Sequence, residues 1–200
     1  MLRTYNVPDG TLFIGGHDVN KIPISVTRKH IAYVPQDNFL FSDTIENNIS
    51  FSCKKTKSEV IEAATLADID ENISNFSKGY DTVLGERGVT ISGGQKQRIS
   101  IARALLKDAD ILILDDSVSA VDIKTEKTIL ENLRNTRKGK TTILIAHRVS
   151  TIEAMDKIIY IENGQISDVG THDELYNRCA EYKKAVELQR LNAQEEYNND

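Results

Sequence analysis

Thr90-Ile91-Ser92-Gly93-Gly94-Gln95-Lys96-Gln97-Arg98 is the stretch around which this chain is organised. A helix is predicted to begin here, because Ser92 is a favourable N-cap and apolar residues follow it at helical spacing. The two glycines let another backbone approach closely. Phosphate binding is favoured by three features together: the hydroxyl of the serine, the free N–H groups of the first turn and the positive end of the helix dipole. For this motif alone, an ordinary helix start after a glycine turn is the alternative.

A second motif lies downstream, where the apolar run Ile111-Leu112-Ile113-Leu114 leads into Asp115 and Asp116. Such a run is typical of a strand buried on both faces of a parallel sheet. Two carboxylates at the end of a buried strand are costly unless a cation pairs with them. The pattern therefore indicates a cation site, with a solvated turn as the alternative.

Two more strand ends carry candidate site residues. Ile31-Ala32-Tyr33-Val34 is rich in β-forming residues and Pro35 stops it, which leaves Gln36 just past the strand. Residues 141–146 predict another buried strand, with His147 at its carboxyl end. Open α/β sheets place ligand-binding groups at this edge. The alternatives are a surface loop at Gln36 and a capping or hydrogen-bonding role for His147.

Composition restricts the function classes. The 200 residues, 40% of them apolar, are enough for one domain with a core. Acidic residues exceed basic ones by 30 to 25 and no lysine/arginine block is present, so a nucleic-acid partner is not expected. The sequence contains no apolar run of membrane-spanning length and no signal peptide. Cys53 and Cys179 lack metal or redox spacing.

Local patterns predict the remaining elements. Helices are expected over about residues 58–66, 69–76, 125–135 and 181–191. Asn163-Gly164 between two apolar runs predicts a β-hairpin. Thr171, with Glu174 three residues later, predicts a capping box at a helix start.

Taken together, ISGGQKQR and ILILDD resemble the signature motif and the Walker B strand of an ATP-binding cassette. More narrowly, residues 1–188 resemble the nucleotide-binding domain of a multidrug-type ABC exporter. The resemblance implies an α/β, P-loop NTPase-like cassette with a largely parallel sheet flanked by helices. We expect the partial cassette domain over residues 1–191, a helical subdomain over about 52–90 within it, and a polar C-terminal tail over 192–200.

The resemblance also implies roles in the chain's own ATP site. Asp115 is expected to hold Mg²⁺ through water, and Gln36 to be a ligand or second-shell partner of the same ion. Asp116 occupies the position of the residue that orients the attacking water. His147 is expected to be the switch histidine that touches the γ-phosphate.

Further residues are expected to act across an interface, because in this family two cassettes sandwich two ATP molecules. Ser92, Gly93, Gly94 and Gln95 would then bind the ATP of the partner cassette. Ser119 and Asp122 match the D-loop, which crosses the dimer interface. Two segments are expected to contact the membrane domain of the transporter. One is residues 37–45, and the other is Gly85-Glu86-Arg87-Gly88, which resembles the X-loop.

Two departures from the family pattern affect the expected activity. The sequence contains no Gly-x-x-x-x-Gly-Lys-Ser/Thr loop, and the upstream aromatic residue that stacks on adenine is missing too. We therefore interpret the chain as an N-terminally incomplete cassette, without the N-terminal strand and P-loop, and expect this chain alone to lack ATPase activity. In this interpretation the sequence is either truncated or begins at an internal methionine of a longer protein.

The second departure is Asp116, where the family has glutamate. Aspartate is shorter by one methylene, about 1.5 Å of reach. The chain thus resembles the degenerate-site subunit of a heterodimeric exporter, which binds ATP but hydrolyses it slowly. A symmetric homodimer in which Asp116 reaches the water is the alternative.

The expected function is ATP binding and hydrolysis in an exporter of a hydrophobic or drug-like substrate, at the cytoplasmic face of the plasma membrane. The expected partners are ATP with Mg²⁺, a second cassette and a transmembrane domain. One alternative is a truncated, non-catalytic interaction fragment. Another is a chromosome-maintenance or translation-factor ATPase, but the coiled-coil heptads or basic linkers that it needs are not in the sequence.

Overall fold

A three-stranded parallel sheet forms from the apolar runs described above. The computed structural model describes residues 1–51, 53–85 and 88–199, with side chains up to residue 192. In the described residues the strand order is β3 (Ile31–Val34), β4 (Ile111–Asp115), β5 (Thr141–Ile145). Parallel pairing places Tyr33 opposite Ile113. All three strands therefore end at one edge of the sheet, as the sequence predicted.

The chain divides into two compact units, residues 1–145 and 146–200. Besides the sheet, the first unit contains the two-stranded ribbon β1 (Phe13–Ile14) and β2 (His17–Asp18), a 3₁₀ turn at Val19–Lys21, α1 (Ile24–Lys29), α2 (Ile45–Ser50), α3 (Lys57–Leu66), α4 (Asp70–Ser74), a 3₁₀ turn at Gly79–Asp81, α5 (Gly93–Leu106) and α6 (Ile123–Thr136). The predicted cassette over 1–191 and its subdomain over 52–90 stay predictions.

Helix α5 is at the centre of the first unit's core. It packs against β3 on one side and against α2 and α3 on the other. Ile99, Ile101 and Ala102 are fully buried in this core, together with Leu112 and Leu114 of β4. Burial of α5 fixes the position of its first turn, where Ser92 is the N-cap.

The second unit has a small core of its own. Its elements are α7 (Val149–Ile152), β6 (Ile158–Glu162), β7 (Gln165–Gly170), α8 (His172–Arg178) and α9 (Ala180–Asn199). The antiparallel hairpin turns at Asn163 and Gly164, which both have positive φ, as the predicted two-residue turn requires. The capping box of Thr171 and Glu174 is confirmed at the start of α8.

Two predictions about these elements are wrong. Strand β5 is not buried, and Ile145 keeps 44% of its surface exposed. Among the described elements, β3 packs against α1 and α5 as well as β4, whereas β5 packs mainly against β4. The last helix does not end near Leu191, and its backbone stays helical to Asn199. Alanine, glutamine and glutamate follow Leu191, and these residues favour a helix.

One prediction cannot be compared with the structure, because Glu86 and Arg87 of the expected X-loop lie outside the described residues. For the helices in the part of the chain that is described, none combines the length and apolar character needed to cross a bilayer.

Candidate functional site

The carboxyl edge of the parallel sheet brings together Gln36 and the acidic pair. Nε2 of Gln36 donates a hydrogen bond to Oδ2 of Asp116 over 3.1 Å, although 80 residues separate the two positions. Asp115 is the last residue of β4 and Asp116 follows it directly. The sheet register thus converts two separate sequence motifs into one cluster of polar groups.

The backbone of Asp116 has an unusual conformation that is held from two sides. Its φ is +46°, in the left-handed region that aspartate tolerates better than most residues. Its N–H donates to the carbonyl oxygen of Ile145 over 2.9 Å. Its own carbonyl oxygen accepts a hydrogen bond of 2.8 Å from Oγ of Ser119. These contacts fix the direction in which the carboxylate leaves the chain.

One oxygen of the Asp116 carboxylate is buried without a hydrogen-bond partner. Among the residues that the structure describes, nothing bonds to Oδ1, whereas Oδ2 is bonded to Gln36. A buried carboxylate oxygen of this kind requires a donor or a cation. Mg²⁺ binds oxygen ligands and keeps several of its waters. Asp115, Asp116 and Gln36 therefore fit a Mg²⁺-nucleotide group, in which water or the ion would satisfy Oδ1.

Tyr33 is a member of this cluster that the sequence reasoning missed. Its hydroxyl donates to Oδ2 of Asp115 over 2.9 Å. Burial, followed by this hydrogen bond, raises the pKa of the Tyr33 phenol. No local motif identifies Tyr33, because it is the exposed residue of β3 and reaches Asp115 through the register that pairs it with Ile113, two residues before Asp115.

The first turn of α5 contains the predicted phosphate-recognition motif. Oγ of Ser92 accepts a hydrogen bond from the N–H of Gln95 over 3.2 Å, and Oε1 of Gln95 accepts one from the N–H of Ser92 over 3.0 Å. This reciprocal pair is a capping box, so the predicted helix start is confirmed. In this structure the Gln95 side chain caps its own helix, and its contact with the partner's ATP stays a prediction.

The two glycines of this turn have different surroundings. A Cβ on Gly94 would lie 3.2 Å from the carbonyl oxygen of Ala120, so glycine permits close packing against the loop after β4. A Cβ on Gly93 would meet no atom within 4 Å among those described. Gly93 therefore lies on an open surface, where a ligand could approach the helix end.

The loop after β4 is closed by a second helix cap. Oδ1 of Asp122 accepts a hydrogen bond from the N–H of Thr125 over 3.0 Å at the start of α6. This bond is the largest cause that lowers the pKa of the Asp122 carboxyl. The structure therefore places Ser119 in the middle and Asp122 at the end of one loop, whose residue Ala120 packs beside Gly94.

His147 belongs to the second unit, whereas the other predicted site residues belong to the first. Its side chain is exposed. Nε2 of Gln189 in α9 donates to the carbonyl oxygen of His147 over 2.7 Å, and Oε1 of Gln189 accepts from the N–H of Val149 over 2.8 Å. Helix α9 thus fixes the backbone around His147.

Comparison with known proteins gives a consistent result. Residues 1–119 match the family model described as ABC transporter. A putative multidrug export ATP-binding/permease protein of Bacillus subtilis, YgaD, is 47% identical over 191 residues, which are 95% of this chain and 33% of the relative. An ATP-dependent lipid A-core flippase of Syntrophus aciditrophicus is 45% identical over 94% of this chain and 31% of that protein.

A solved structure agrees with the sequence relatives. The structure of a bacterial Atm1-family ABC exporter with ATP bound superimposes with a TM-score of 0.90 at 39% identity, over 94% of this chain and 34% of that chain. The chain spans about a third of the length of the proteins that it matches.

Proposed function

The chain belongs to the ABC transporter family, and we propose that it is part of the ATP-binding cassette of an exporter. The single observation that carries this proposal is the cluster at the sheet edge, where Gln36 binds Asp116 and leaves one buried carboxylate oxygen unpartnered. The relatives support the proposal by their names, which describe exporter ATP-binding/permease proteins and a flippase. The exported substrate in this proposal is hydrophobic or drug-like.

Each residue of the cluster has a defined task in this proposal. Asp115, oriented by the Tyr33 hydroxyl, would hold the metal through its second oxygen and a water. Asp116, oriented by Gln36, would accept a hydrogen bond from the attacking water. His147, which is outside this cluster in the second unit, is proposed to donate to the terminal phosphate. Mg²⁺-ATP, when bound, supplies the polarised phosphoryl group.

The helix start at Ser92 would serve a different nucleotide, the one held by a partner cassette. Gly93 is open and α5 directs its free N–H groups outward at this end, which suits the phosphates of a second chain. Ser119 and Asp122 lie on the neighbouring loop and would contact the partner. The name of the relative YgaD includes the word permease, which implies a membrane domain. In this proposal such a domain would hold the cassette at the cytoplasmic face of the membrane.

We further propose that the chain's own site is slow and that the partner is a different cassette. Asp116 is shorter than the glutamate of the family by about 1.5 Å, and Gln36 holds its carboxylate at the sheet edge. A positioned group that is displaced by ~1 Å can lose about 10²-fold in rate. A symmetric homodimer with a competent Asp116 is the alternative.

The proposed function is tested with the full-length protein that carries this chain, purified in lipid nanodiscs. We expect Mg²⁺-dependent ATP binding and ATPase activity, and we expect Asp115→Asn to weaken the dependence on Mg²⁺. Asp110→Asn is a control, because Asp110 lies outside the cluster and bonds to His30. ATP binding that does not depend on Mg²⁺, or no ATP binding at all, would instead favour the alternative that the chain is a non-catalytic interaction fragment.

A further inference from the structure

Arg103 links two parts of the first unit that are separate in sequence. It lies near the end of α5 and its guanidinium donates in three directions. Nη1 donates to the carbonyl oxygen of Phe39 over 3.0 Å. Nε and Nη2 donate to the carbonyl oxygen of Asn48 over 2.6 Å and to Oδ1 of Asn48 over 3.2 Å. One side chain thus joins α5 to the segment after Gln36 and to α2.

The same guanidinium lies over an exposed cluster of aromatic rings, which we call the aromatic patch and which consists of Phe39, Phe41 and Phe51. These side chains are 65%, 40% and 46% exposed. The Phe41 ring is 4.9 Å from each of the other two, edge-on to Phe39 and stacked on Phe51. Cζ of Arg103 is 5.3 Å from the Phe51 centroid and 5.9 Å from that of Phe41, within cation–π range.

Asn48 extends this link to the loop that carries the patch. Its side chain is buried, and its amide nitrogen donates to the carbonyl oxygens of Phe41, Asp43 and Thr44 over 3.0, 3.3 and 3.0 Å. Its Oδ1 also accepts from the N–H of Phe41 over 2.8 Å. With Arg103, these bonds hold the whole loop to α5. A buried polar network with its bonds satisfied is rigid.

Helix α5 is the element that connects this network to Ser92. It runs without interruption over Gly93–Leu106, with most of its apolar residues in the core. At 1.5 Å per residue, Arg103 is about 16 Å along the axis from Ser92. A continuous, buried helix of this length moves as a rigid rod, so a displacement of one end reaches the other.

We propose that Arg103 is a positioning residue that couples the aromatic patch to the phosphate-recognition turn at Ser92. This inference rests on the proposed function, in which Ser92–Gln95 engage the nucleotide of a partner cassette. Engagement of that turn shifts α5, and Arg103 transfers the shift to the patch and its loop. Lysine cannot replace arginine here, because a single ammonium group cannot reach three acceptors in different directions and stack on two rings.

The test is amide hydrogen exchange of the full-length protein in lipid nanodiscs, with and without Mg²⁺ and the non-hydrolysable analogue AMP-PNP. In the wild type we expect the analogue to slow exchange in residues 92–98 and to alter it in residues 39–51. Arg103→Lys should keep the change at 92–98 while the response of 39–51 falls about 2- to 30-fold, the range that residues in a coupling network produce.

Arg137→Lys is the matched control. Arg137 is also a buried arginine that donates to several backbone carbonyls, those of Ala109, Asp110 and Thr141, but none of them lies near the patch. It should lower the melting temperature and leave both exchange responses at wild-type size. Loss of the 39–51 response in this variant too would reduce Arg103 to a structural role and overturn the inference.

A second variant keeps the test decisive if Arg103→Lys misfolds. Phe51→Leu changes an exposed ring, so the fold is kept, and it removes the cation–π contact with Arg103 and the stacking on Phe41 while leaving every hydrogen bond of Arg103 in place. It should lower the 39–51 response less than Arg103→Lys does. An unchanged response in both variants would overturn the inference. If the wild type shows no nucleotide-dependent change at 92–98, the proposed function fails, and the inference fails with it.

Discussion

The carboxylate of Asp116 is bound on one oxygen and unsatisfied on the other, and its backbone lies in the left-handed region. The effect of side-chain length at residue 116 can therefore be tested by substitution. Asp116→Glu adds about 1.5 Å of reach. If reach is the only defect of the slow site, we expect ATPase turnover of the full-length protein with its partner to rise by up to about twofold, since a second site becomes competent.

The stability of the Asp116→Glu variant must be measured as a control, because glutamate tolerates the φ of residue 116 less well than aspartate does. A cost of about 1 kcal/mol is expected, which the melting temperature reports. If turnover does not change while the protein stays folded, the defect lies elsewhere, for instance in the partner's phosphate-recognition turn.

Tyr33 gives a second prediction, for the metal. Tyr33→Phe removes only the hydroxyl that donates to Asp115 and leaves the half-exposed ring in place. An outer-shell partner of a metal ligand typically affects metal affinity by about 10-fold or more, and solvent access to this hydroxyl places the expected loss near the lower limit, about tenfold. The readouts are the Mg²⁺ dependence of ATPase and Mn²⁺ binding followed by electron paramagnetic resonance. If Tyr33→Phe changes neither the Mg²⁺ dependence of ATPase nor Mn²⁺ binding, Tyr33 does not orient Asp115 for the metal.

The sequence indicated candidate site residues where a local motif carries them, as it does for Gln36, Ser92 and the acidic pair. The structure brings Gln36 and Asp116 together, and the roles of these residues stay predictions. It did not predict Tyr33, because the hydrogen bond to Asp115 depends on which strands pair and in which register. It also did not show that Gln95 caps its own helix, because a motif gives the residue type and not the partner of its side chain.

The caps at Ser92 and Thr171 were predicted correctly, since a cap involves residues three positions apart. The capping box of α3, formed by Thr56 and Glu59, was not predicted, and it leads to a prediction about pH. A hydrogen bond from Lys55, and then bonds from Thr56, lower the pKa of Glu59 from 4.5 to about 2. Because the folded pKa lies below the unfolded one, the contribution of Glu59 to stability is complete above pH 4.5 and is lost as the pH falls towards 2.

Glu59→Gln therefore should lower the free energy of unfolding at pH 7, and the difference from the wild type should shrink between pH 4.5 and 2. Urea unfolding of the chain at several pH values measures this difference. Lys55→Met is the companion variant. It removes the largest cause of the shift, so the pH-dependent loss should be smaller than in the wild type and should be complete at a higher pH. A difference that stays constant with pH would contradict the assignment.

The elements that were predicted less well depend on what surrounds them. The apolar run of β5 indicated burial, but β5 packs mainly against β4 among the described elements and stays partly exposed. The predicted end of α9 was based on the polar residues after Leu191, although those residues also favour a helix and the helix continues to Asn199. Burial and helix length are therefore tertiary properties, whereas the hairpin at Asn163 and Gly164 is local and was predicted correctly.

For the molecule as a whole, the arrangement of the first unit separates two kinds of site. Asp116 belongs to the sheet edge, together with Gln36, whereas Gly93 belongs to the open end of α5. In the proposed assembly the first faces the chain's own ATP and the second faces the ATP of the partner. Substitutions at the two places should therefore have unequal consequences, which a single active site would not produce.

We expect Asp116→Asn to lower the ATPase of the assembled, full-length transporter only modestly, because it alters a site that contributes little turnover. Gly93→Asp places a negative charge against the partner's phosphates and removes electrostatic stabilisation of the transition state, so a loss of about 10²-fold or more is expected. Gly93→Ala is the matched control, since its Cβ enters open space and adds no charge. Steady-state ATPase of reconstituted protein measures all three. Equal and severe losses in Asp116→Asn and Gly93→Asp would mean that Asp116 is a working catalytic residue and that the transporter is symmetric.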